Sequence, residues 1–337
     1  SRIHAAKMIA ATDVSMRFGQ QMLFENVSVK FNSGCRYGLI GANGSGKSTT
    51  VKMLLGLLYP TAGRLTVFGK SPRDVDTKRL IGYLPEESYL YKYLTAYETL
   101  DFFGSLFNLS GLERRKRSEQ LLEMVGLSHA KNRPVGEFSK GMSRRIGLAQ
   151  AMINDPSLLI LDEPTSGLDP LGCREVKDLI HMLKKRGKTV IVTSHLLSDI
   201  EDVCDRVIIL YGGQIRAQGT LNGLLTIEGT NRITTPQLPP EVMEKVLAIL
   251  RGSLSDDQFK VDHPRMSLED FFLDVVNKAQ SESVETYGAR SGGHIAEYLS
   301  ADAQEDSARE LLDSLTKKDR DTEKPQETVA ETPKIDT

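Results

Sequence analysis

Nine residues, Gly41-Ala-Asn-Gly-Ser-Gly-Lys-Ser-Thr49, concentrate the chemistry of this sequence. Gly41, Gly46, Lys47 and Ser48 fill the fixed positions of G-x-x-x-x-G-K-[ST], a spacing suited to holding phosphate. Glycines let successive backbone N–H groups turn into one concavity, and a helix beginning there adds its partial positive charge. The phosphate contacts expected from this fall on Gly41, Asn43, Gly44, Ser45, Gly46, Lys47, Ser48 and Thr49. Lys47 would bridge the outer phosphates, and the Ser48 hydroxyl would be a ligand for Mg²⁺.

A second set of candidate groups ends the apolar run Leu158-Leu-Ile-Leu-Asp-Glu163. An aspartate at the carboxyl end of a buried strand beside a phosphate loop, here Asp162, is placed to hold Mg²⁺ directly or through water. Successive strand residues point to opposite sides, so Glu163 is available to polarise a water for attack on a γ-phosphate. General-base help of that kind is worth on the order of 10²–10⁴ in rate. The rest of phosphoryl transfer depends on positioning and charge neutralisation. Taken alone, the acid pair reads equally well as a polar strand-to-loop turn. Three further stretches tip the balance: Phe138-Ser-Lys-Gly-Met142, which opens a helix with a serine cap and a glycine and is another anion-binding N-terminus; Ser166-Gly-Leu-Asp169; and Ser194-His195 at a strand end.

These groups need strands to carry them. Tyr37-Gly-Leu-Ile40 reads as a short buried strand leading into the glycine loop, and residues 49–58 carry apolar side chains at helical spacing after it. Residues 8–31 alternate imperfectly, as a pair of antiparallel strands turning at Phe18-Gly19. Residues 64–68 and 81–84 are further strands. Thr95-Ala-Tyr-Glu98 is a capping box that opens a helical region to about Ala151. The basic run Arg114-Arg-Lys-Arg117 within it reads as a solvated helix face. Strands return at 158–161 and 189–193, separated by a helix capped by Asp169-Pro170 that ends near Gly187. Ser198-Asp-Ile-Glu201 reads as a second capping box, and residues 207–216 as a hairpin around Gly212-Gly213. Strands alternating with helices imply an α/β fold with a largely parallel sheet.

Around Thr226 the pattern changes. Residues 227–280 suggest a small α/β subdomain: a short strand, a helix after Pro239-Pro240, and a last helix from Ser267 with Leu268, Phe271, Phe272, Val275 and Val276 on one face. Residues 1–7 read as an extension. Residues 281–337 are polar and acidic, with only residues 300–315 able to form a weak helix, and are expected to be a disordered tail.

Bulk composition narrows the class. With 26% charged residues and a formal net charge of −2, no overall positive field draws the chain to nucleic acid. Cys35, Cys173 and Cys204 are too few and too scattered for a disulfide framework or a zinc site, which suits a reducing compartment. No apolar run approaches the roughly 18 residues of a membrane span, and no signal-peptide pattern is seen. The expected location is cytoplasmic, with any membrane association made through a partner.

In motif order, residues 8–226 resemble the nucleotide-binding ATPase subunits of ABC transporters, of the P-loop NTPase fold with an inserted helical subdomain at about 95–151. The resemblance implies that 41–49 is the Walker A loop, 158–163 Walker B, 138–142 the family signature and 166–169 the D-loop, with His195 the switch histidine. It further implies a dimer, homodimeric or pseudo-symmetric heterodimeric, that sandwiches two MgATP. Each loop would then face Ser139 and Gly141 of the other copy, with Asp169 nearby. Phe18, 29 positions before Lys47, matches the aromatic that stacks on adenine. Lys47, Glu163 and His195 match the catalytic positions, and Ser48, Asp162 and Glu86 the metal positions. Residues 87–97 match the groove for a coupling helix of a separately encoded permease on the cytoplasmic face of a membrane. Two departures stand out: Glu86 replaces the usual glutamine, and Lys140 and Met142 replace glycine and glutamine in the signature. The variant signature and Ser267-Leu-Glu-Asp-Phe-Phe272 resemble exporter-type ATPases.

Two soluble alternatives share these motifs. Arg36-Tyr-Gly-Leu-Ile-Gly-Ala-Asn43 resembles the lead-in of ribosome-associated ABC-F proteins, but those carry two ATPase domains and only one Walker A occurs here. Chromosome-maintenance ATPases insert a long coiled coil before the signature, whereas only 92 positions separate Lys47 from Ser139.

Overall fold

The computed structural model describes residues 9–18, 21–255, 258–261, 267, 271–272, 275 and 296–299. A six-stranded sheet is built from β3 (Arg36–Gly41), β5 (Ile81–Leu84), β6 (Leu158–Asp162), β7 (Thr189–Thr193), β8 (Arg206–Tyr211) and β9 (Gln214–Thr220), in the order β5-β6-β7-β3-β8-β9. All its neighbours run parallel except β8 and β9, which form the expected hairpin. A separate three-stranded antiparallel sheet pairs β1 (Ile9–Phe18) with β2 (Gln21–Phe31) on one side and β4 (Ala62–Thr66) on the other.

Alternation along the central strands divides the core into two. Leu159, Leu161, Val190 and Val192 face one cluster, while Leu158, Ile160 and Ile191 face the other. Both faces are therefore covered, which is why β6 and β7 read as unbroken apolar runs. The first cluster is closed by α5 (Lys140–Met152), α6 (Pro170–Lys185) and α7 (Leu197–Val203). The second is closed by α1 (Lys47–Leu54) and the antiparallel sheet, through Val51, Leu54, Phe24 and Phe31. Each such side chain contributes roughly 1.5–3 kcal/mol relative to exposure, so a polar residue on either face would be costly.

A short helix, α2 (Val75–Arg79), leads into β5, and helices α3 (Ala96–Leu106), α4 (Gly111–Met124) and α5 make the inserted helical part. The Thr95 capping box forms as expected, with Glu98 closing back on the Thr95 N–H at 2.9 Å. Helix α5 lies close on β5: a Cβ at Gly82 would sit 2.0 Å from the Ala151 carbonyl oxygen, so only glycine permits the approach. β3, which carries the glycine loop, is fixed from behind. Arg36 pairs with Asp205 at 2.8 Å, and Lys184 reaches the same carboxylate at 2.6 Å. His181 Nδ1 meets the Arg36 guanidinium from α6.

Several expectations are corrected. Helix α1 ends at Leu54 rather than 58, because Gly56 takes φ 68° and leaves Leu57 exposed. Ser198 is not a cap: Leu196 is the residue preceding α7, and the Ser194 hydroxyl has already taken the Leu196 N–H at 3.0 Å. The basic run is not one solvated face. Arg115 is exposed, but Arg114 pairs with Asp101 at 2.8 Å and Arg117 donates to the Ile153 carbonyl at 2.8 Å.

The helix after Pro239 appears as α9 (Pro240–Arg251), following a short α8 (Leu221–Leu225), but no strand occurs among the described residues of 227–280. Phe271, Phe272 and Val275 are helical and partly exposed, while Leu268 and Val276 lie outside the described residues, as do residues 1–7, Gly19 and 300–315. Within the expected tail, residues 296–299 are docked. Ala296 and Leu299 are buried, Arg186 donates to the Tyr298 carbonyl at 2.8 Å, and the Arg117 guanidinium lies 4.5 Å from the centre of the Tyr298 ring.

Candidate nucleotide site

Parallel neighbours put the carboxyl ends of β5, β6, β7 and β3 side by side on one edge of the sheet. Glu86 follows β5, Asp162 and Glu163 end β6, His195 follows β7, and the glycine loop follows β3. Topology thus gathers segments scattered over more than a hundred positions into one crevice, the ordinary place for a ligand in an open α/β sheet.

The loop is shaped for an anion. Gly46 precedes α1 at φ 100°, where a side chain would be strained and would meet Phe24 at 3.0 Å. Helices α3, α4, α5 and α6 each have a side chain capping their first N–H groups, from Thr95, Ser110, Ser139 and Asp169. Helix α1 has no side-chain cap, so its leading N–H groups are left for an external acceptor. Lys47 curls over the loop and donates to the Gly41 carbonyl at 2.5 Å and the Ala42 carbonyl at 3.2 Å. Ser45 Oγ is buried without a hydrogen-bond partner. This arrangement fits a phosphate chain.

Asp162 is 8% exposed, and its carboxylate accepts a hydrogen bond from the Thr193 hydroxyl on the neighbouring strand. Glu163 adopts φ 52°, a left-handed backbone unusual for glutamate. Its N–H donates to the Thr193 carbonyl at 3.0 Å, and its Oε2 lies 2.7 Å from His195 Nδ1. The glutamate side chain is 11% exposed and the histidine 65%, so the pair runs from the interior to the mouth of the crevice.

Behind this pair, Thr165 donates to Asp199 at 2.7 Å, and the buried Lys177 holds both Asp199, at 3.0 Å, and Asp202, at 2.9 Å. Burial alone would lower the Lys177 pKa, but the hydrogen bonds it donates to the two aspartates outweigh it and hold the amine well above its usual range. The loop after β6 and the helix after His195 are therefore tied together.

The remaining candidates are placed unevenly. Ser139 caps α5 by accepting the Met142 N–H at 3.2 Å, and a Cβ on Gly141 would lie 3.4 Å from the Gly167 carbonyl oxygen. Among the described hydrogen bonds, none joins Ser139 or Gly141 to residues 41–49 of the same chain. Met142 is a buried core residue. The Asp169 carboxylate caps α6 through Gly172 N–H at 2.9 Å. Glu86 is exposed beyond β5. The side chain of Phe18 lies outside the described residues. No cluster of three or more metal-ligating side chains occurs among the described residues. A cation held by Ser48 and Asp162 would therefore draw most of its shell from phosphate oxygens and water, the habit of Mg²⁺.

Thr193, Thr165, Asp199, Lys177 and Arg144 are not singled out by the sequence alone. Strand-end position was the one available signal for Thr193.

Fold and site together define a P-loop ATPase cassette. The family model described as ABC transporter matches residues 24–166. An uncharacterised ABC transporter ATP-binding protein of Synechocystis is 43% identical over 226 residues, 66% of this chain and 64% of that one. The linearmycin resistance ATP-binding protein of Bacillus subtilis is 32% identical over 312 residues, 92% of this chain and 98% of its own length. The bacitracin transport ATP-binding protein of Bacillus licheniformis is 40% identical over 211 residues, 62% of this chain and 68% of its own. Among solved structures, the bacterial ABC transporter cassette MJ0796, determined as a dimer, matches with TM-score 0.59 and 28% identity over 63% of this chain and 98% of that one. The same cassette has also been solved after hydrolysis with ADP and Pi. The chain belongs to the family of ABC transporter ATP-binding proteins, and its activity is that of an ATPase.

Proposed function

We propose that two copies of the nucleotide-binding part, from this chain or from this chain and a close homologue, close head to tail around two ATP and drive export through a separate permease. The observation that carries the catalytic reading is the 2.7 Å contact between Glu163 and His195 on the sheet edge that bears the glycine loop.

In this reading, the loop amides and the uncapped start of α1 bind the β- and γ-phosphates. Lys47 exchanges its loop carbonyls for phosphate oxygens. Glu163 accepts the proton of the attacking water, and His195 fixes the carboxylate that does so. Thr193 orients Asp162 and, through its carbonyl, the Glu163 N–H. Mg²⁺, when bound, neutralises charge between the transferring phosphates, and Ser48, Asp162 and Glu86 are the residues that would hold it. No hydrogen bond among the described residues joins Ser139 or Gly141 to the loop of their own chain, which favours their serving the loop of a second copy. Phe18 would stack on adenine, and Asp169 would approach the nucleotide across the dimer.

Export is favoured by the named roles of two relatives, in bacitracin transport and in linearmycin resistance. No described helix is long and apolar enough to cross a membrane, so the channel must lie in another polypeptide or outside the described residues. Tyr89, Tyr91 and Tyr93, all exposed beyond β5, offer a surface for it. The test is to trap Glu163→Gln with MgATP and capture it from gently solubilised membranes. Recovery of a polytopic membrane protein supports the reading. Recovery of ribosomes without one would overturn it in favour of the ABC-F alternative.

A further inference from the structure

Arg144 sits one turn into α5, behind the helix start that carries Ser139 and Gly141. It is 5% exposed, and its guanidinium is spread over backbone carbonyls. Nη1 donates to the Pro85 carbonyl and, at 3.0 Å, to that of Glu86. Nη2 donates to the Asp162 carbonyl and, at 2.5 Å, to that of Glu163. Nε reaches the Pro164 carbonyl at 3.4 Å. Burial lowers the pKa of this guanidinium, while the charges of Asp162, Glu163 and Glu86 act to raise it, and an arginine so placed stays a cation.

The five acceptors lie at the end of β6 and in the two loops that follow the paired strands β5 and β6. The last pair in register between β5 and β6 is Leu84 with Leu161. Beyond it the backbones part and can no longer bond each other. The planar fork of Arg144 spans that gap with side-chain donors, which a lysine's single amino group could not do.

Glu163 needs such support. At φ 52° its backbone is in a region that a residue with a side chain occupies only when its surroundings hold it there. Its N–H is held by the Thr193 carbonyl at 3.0 Å and its carbonyl by Arg144 at 2.5 Å. That setting delivers Oε2 to 2.7 Å from His195.

We propose that Arg144 is a positioning residue for hydrolysis: it fixes the left-handed backbone of Glu163 and links it to the Glu86 corner and to the signature helix. The geometry of the carboxylate then depends on where α5 lies, so the helix that presents Ser139 and Gly141 outward also sets the base of its own chain. This rests on the reading of Glu163 as general base.

The test is basal ATP turnover of the full-length chain carrying Arg144→Met, Arg144→Gln or Glu163→Gln, with thermal unfolding of each. Arg144→Met is expected to lower kcat about 10- to 100-fold, the loss of charge-assisted hydrogen bonds, with KM for ATP within about threefold. Arg144→Gln keeps two N–H donors and should fall between wild type and Arg144→Met. A folded Arg144→Met with kcat within about twofold of wild type would overturn the inference, as would a loss confined to KM or to the melting temperature. If Arg144→Met does not fold, Arg144→Gln decides: reduced kcat at unchanged KM supports the role, and full kcat refutes it. Glu163→Gln separates the two levels. Wild-type turnover in that variant removes the base assignment and this inference together. An inactive Glu163→Gln beside a fully active Arg144→Met removes only the inference.

Discussion

His195 Nδ1 and Glu163 Oε2 meet at 2.7 Å although they leave different strands and lie 32 positions apart. Strand β7 ends at Thr193, whose carbonyl and hydroxyl also hold Glu163 and Asp162, so one strand end fixes Glu163, its histidine partner and the neighbouring acid. The contact places the carboxylate under a histidine that is mostly open to solvent. A carboxylate buried on its protein side and covered by an exposed histidine suits the proposed role of receiving a water that enters with nucleotide.

Replacing Glu163 by glutamine keeps the shape and removes the proposed proton acceptor. Turnover should fall on the order of 10²–10⁴-fold with ATP affinity retained. Phosphate release and equilibrium nucleotide binding, measured on the same preparation, check it.

Replacing His195 by alanine leaves Glu163 in place but unguided. A kcat loss of about tenfold or more, with KM little changed, is expected, because the contact acts on the carboxylate rather than on ground-state binding. Equal losses in kcat and affinity would assign His195 to binding instead.

Lys47→Met removes the one cation on the loop without shortening the side chain much. ATP should bind about 10- to 100-fold more weakly, read by fluorescence or calorimetric titration.

Asp205 governs a pH dependence. Burial opposes its ionisation, but hydrogen bonds from Arg36 and Lys184 outweigh that and hold its carboxyl well below the usual carboxylate range. A depressed pKa contributes stability that is present above the unfolded value of about 3.9 and is lost as pH falls toward the folded value. Asp205→Asn should therefore cost about 2 kcal/mol at neutral pH, a modest figure because Lys184 is well exposed. Its melting temperature should also decline less steeply than that of the wild type below about pH 4.

Leu299 is fully buried between the helical part and the catalytic core. Leu299→Ala should destabilise by about 2–4 kcal/mol in chemical unfolding, as for other buried leucines. An unaltered midpoint would contradict the docking of residues 296–299.

What the sequence disclosed follows a physical line. The glycine loop and the acid pair could be read because each is contiguous and its chemistry is local. The strands around them were legible from apolar runs buried on both faces. Arg144 was not, since nothing in one helical arginine says which carbonyls it will meet after folding. Residues 296–299 escaped for a related reason: Ala296 and Leu299 are too few to mark a core segment, and the hold on Tyr298 comes from Arg117 and Arg186, which are far away in sequence. Ser198 misled because its spacing to Glu201 matches a capping box, while the preceding Ser194 turned the chain first. The role proposed for Ser139 and Gly141 involves a second chain, which no single chain's contacts can supply.

The central claim is that hydrolysis occurs in a closed pair of cassettes. Light scattering of purified Glu163→Gln, with and without MgATP, tests it most directly. Adding MgATP should shift the chain from monomer to double the mass, and introducing Ser139→Phe into the same chain should abolish that shift. A variant that binds ATP yet stays monomeric at every nucleotide concentration would contradict it.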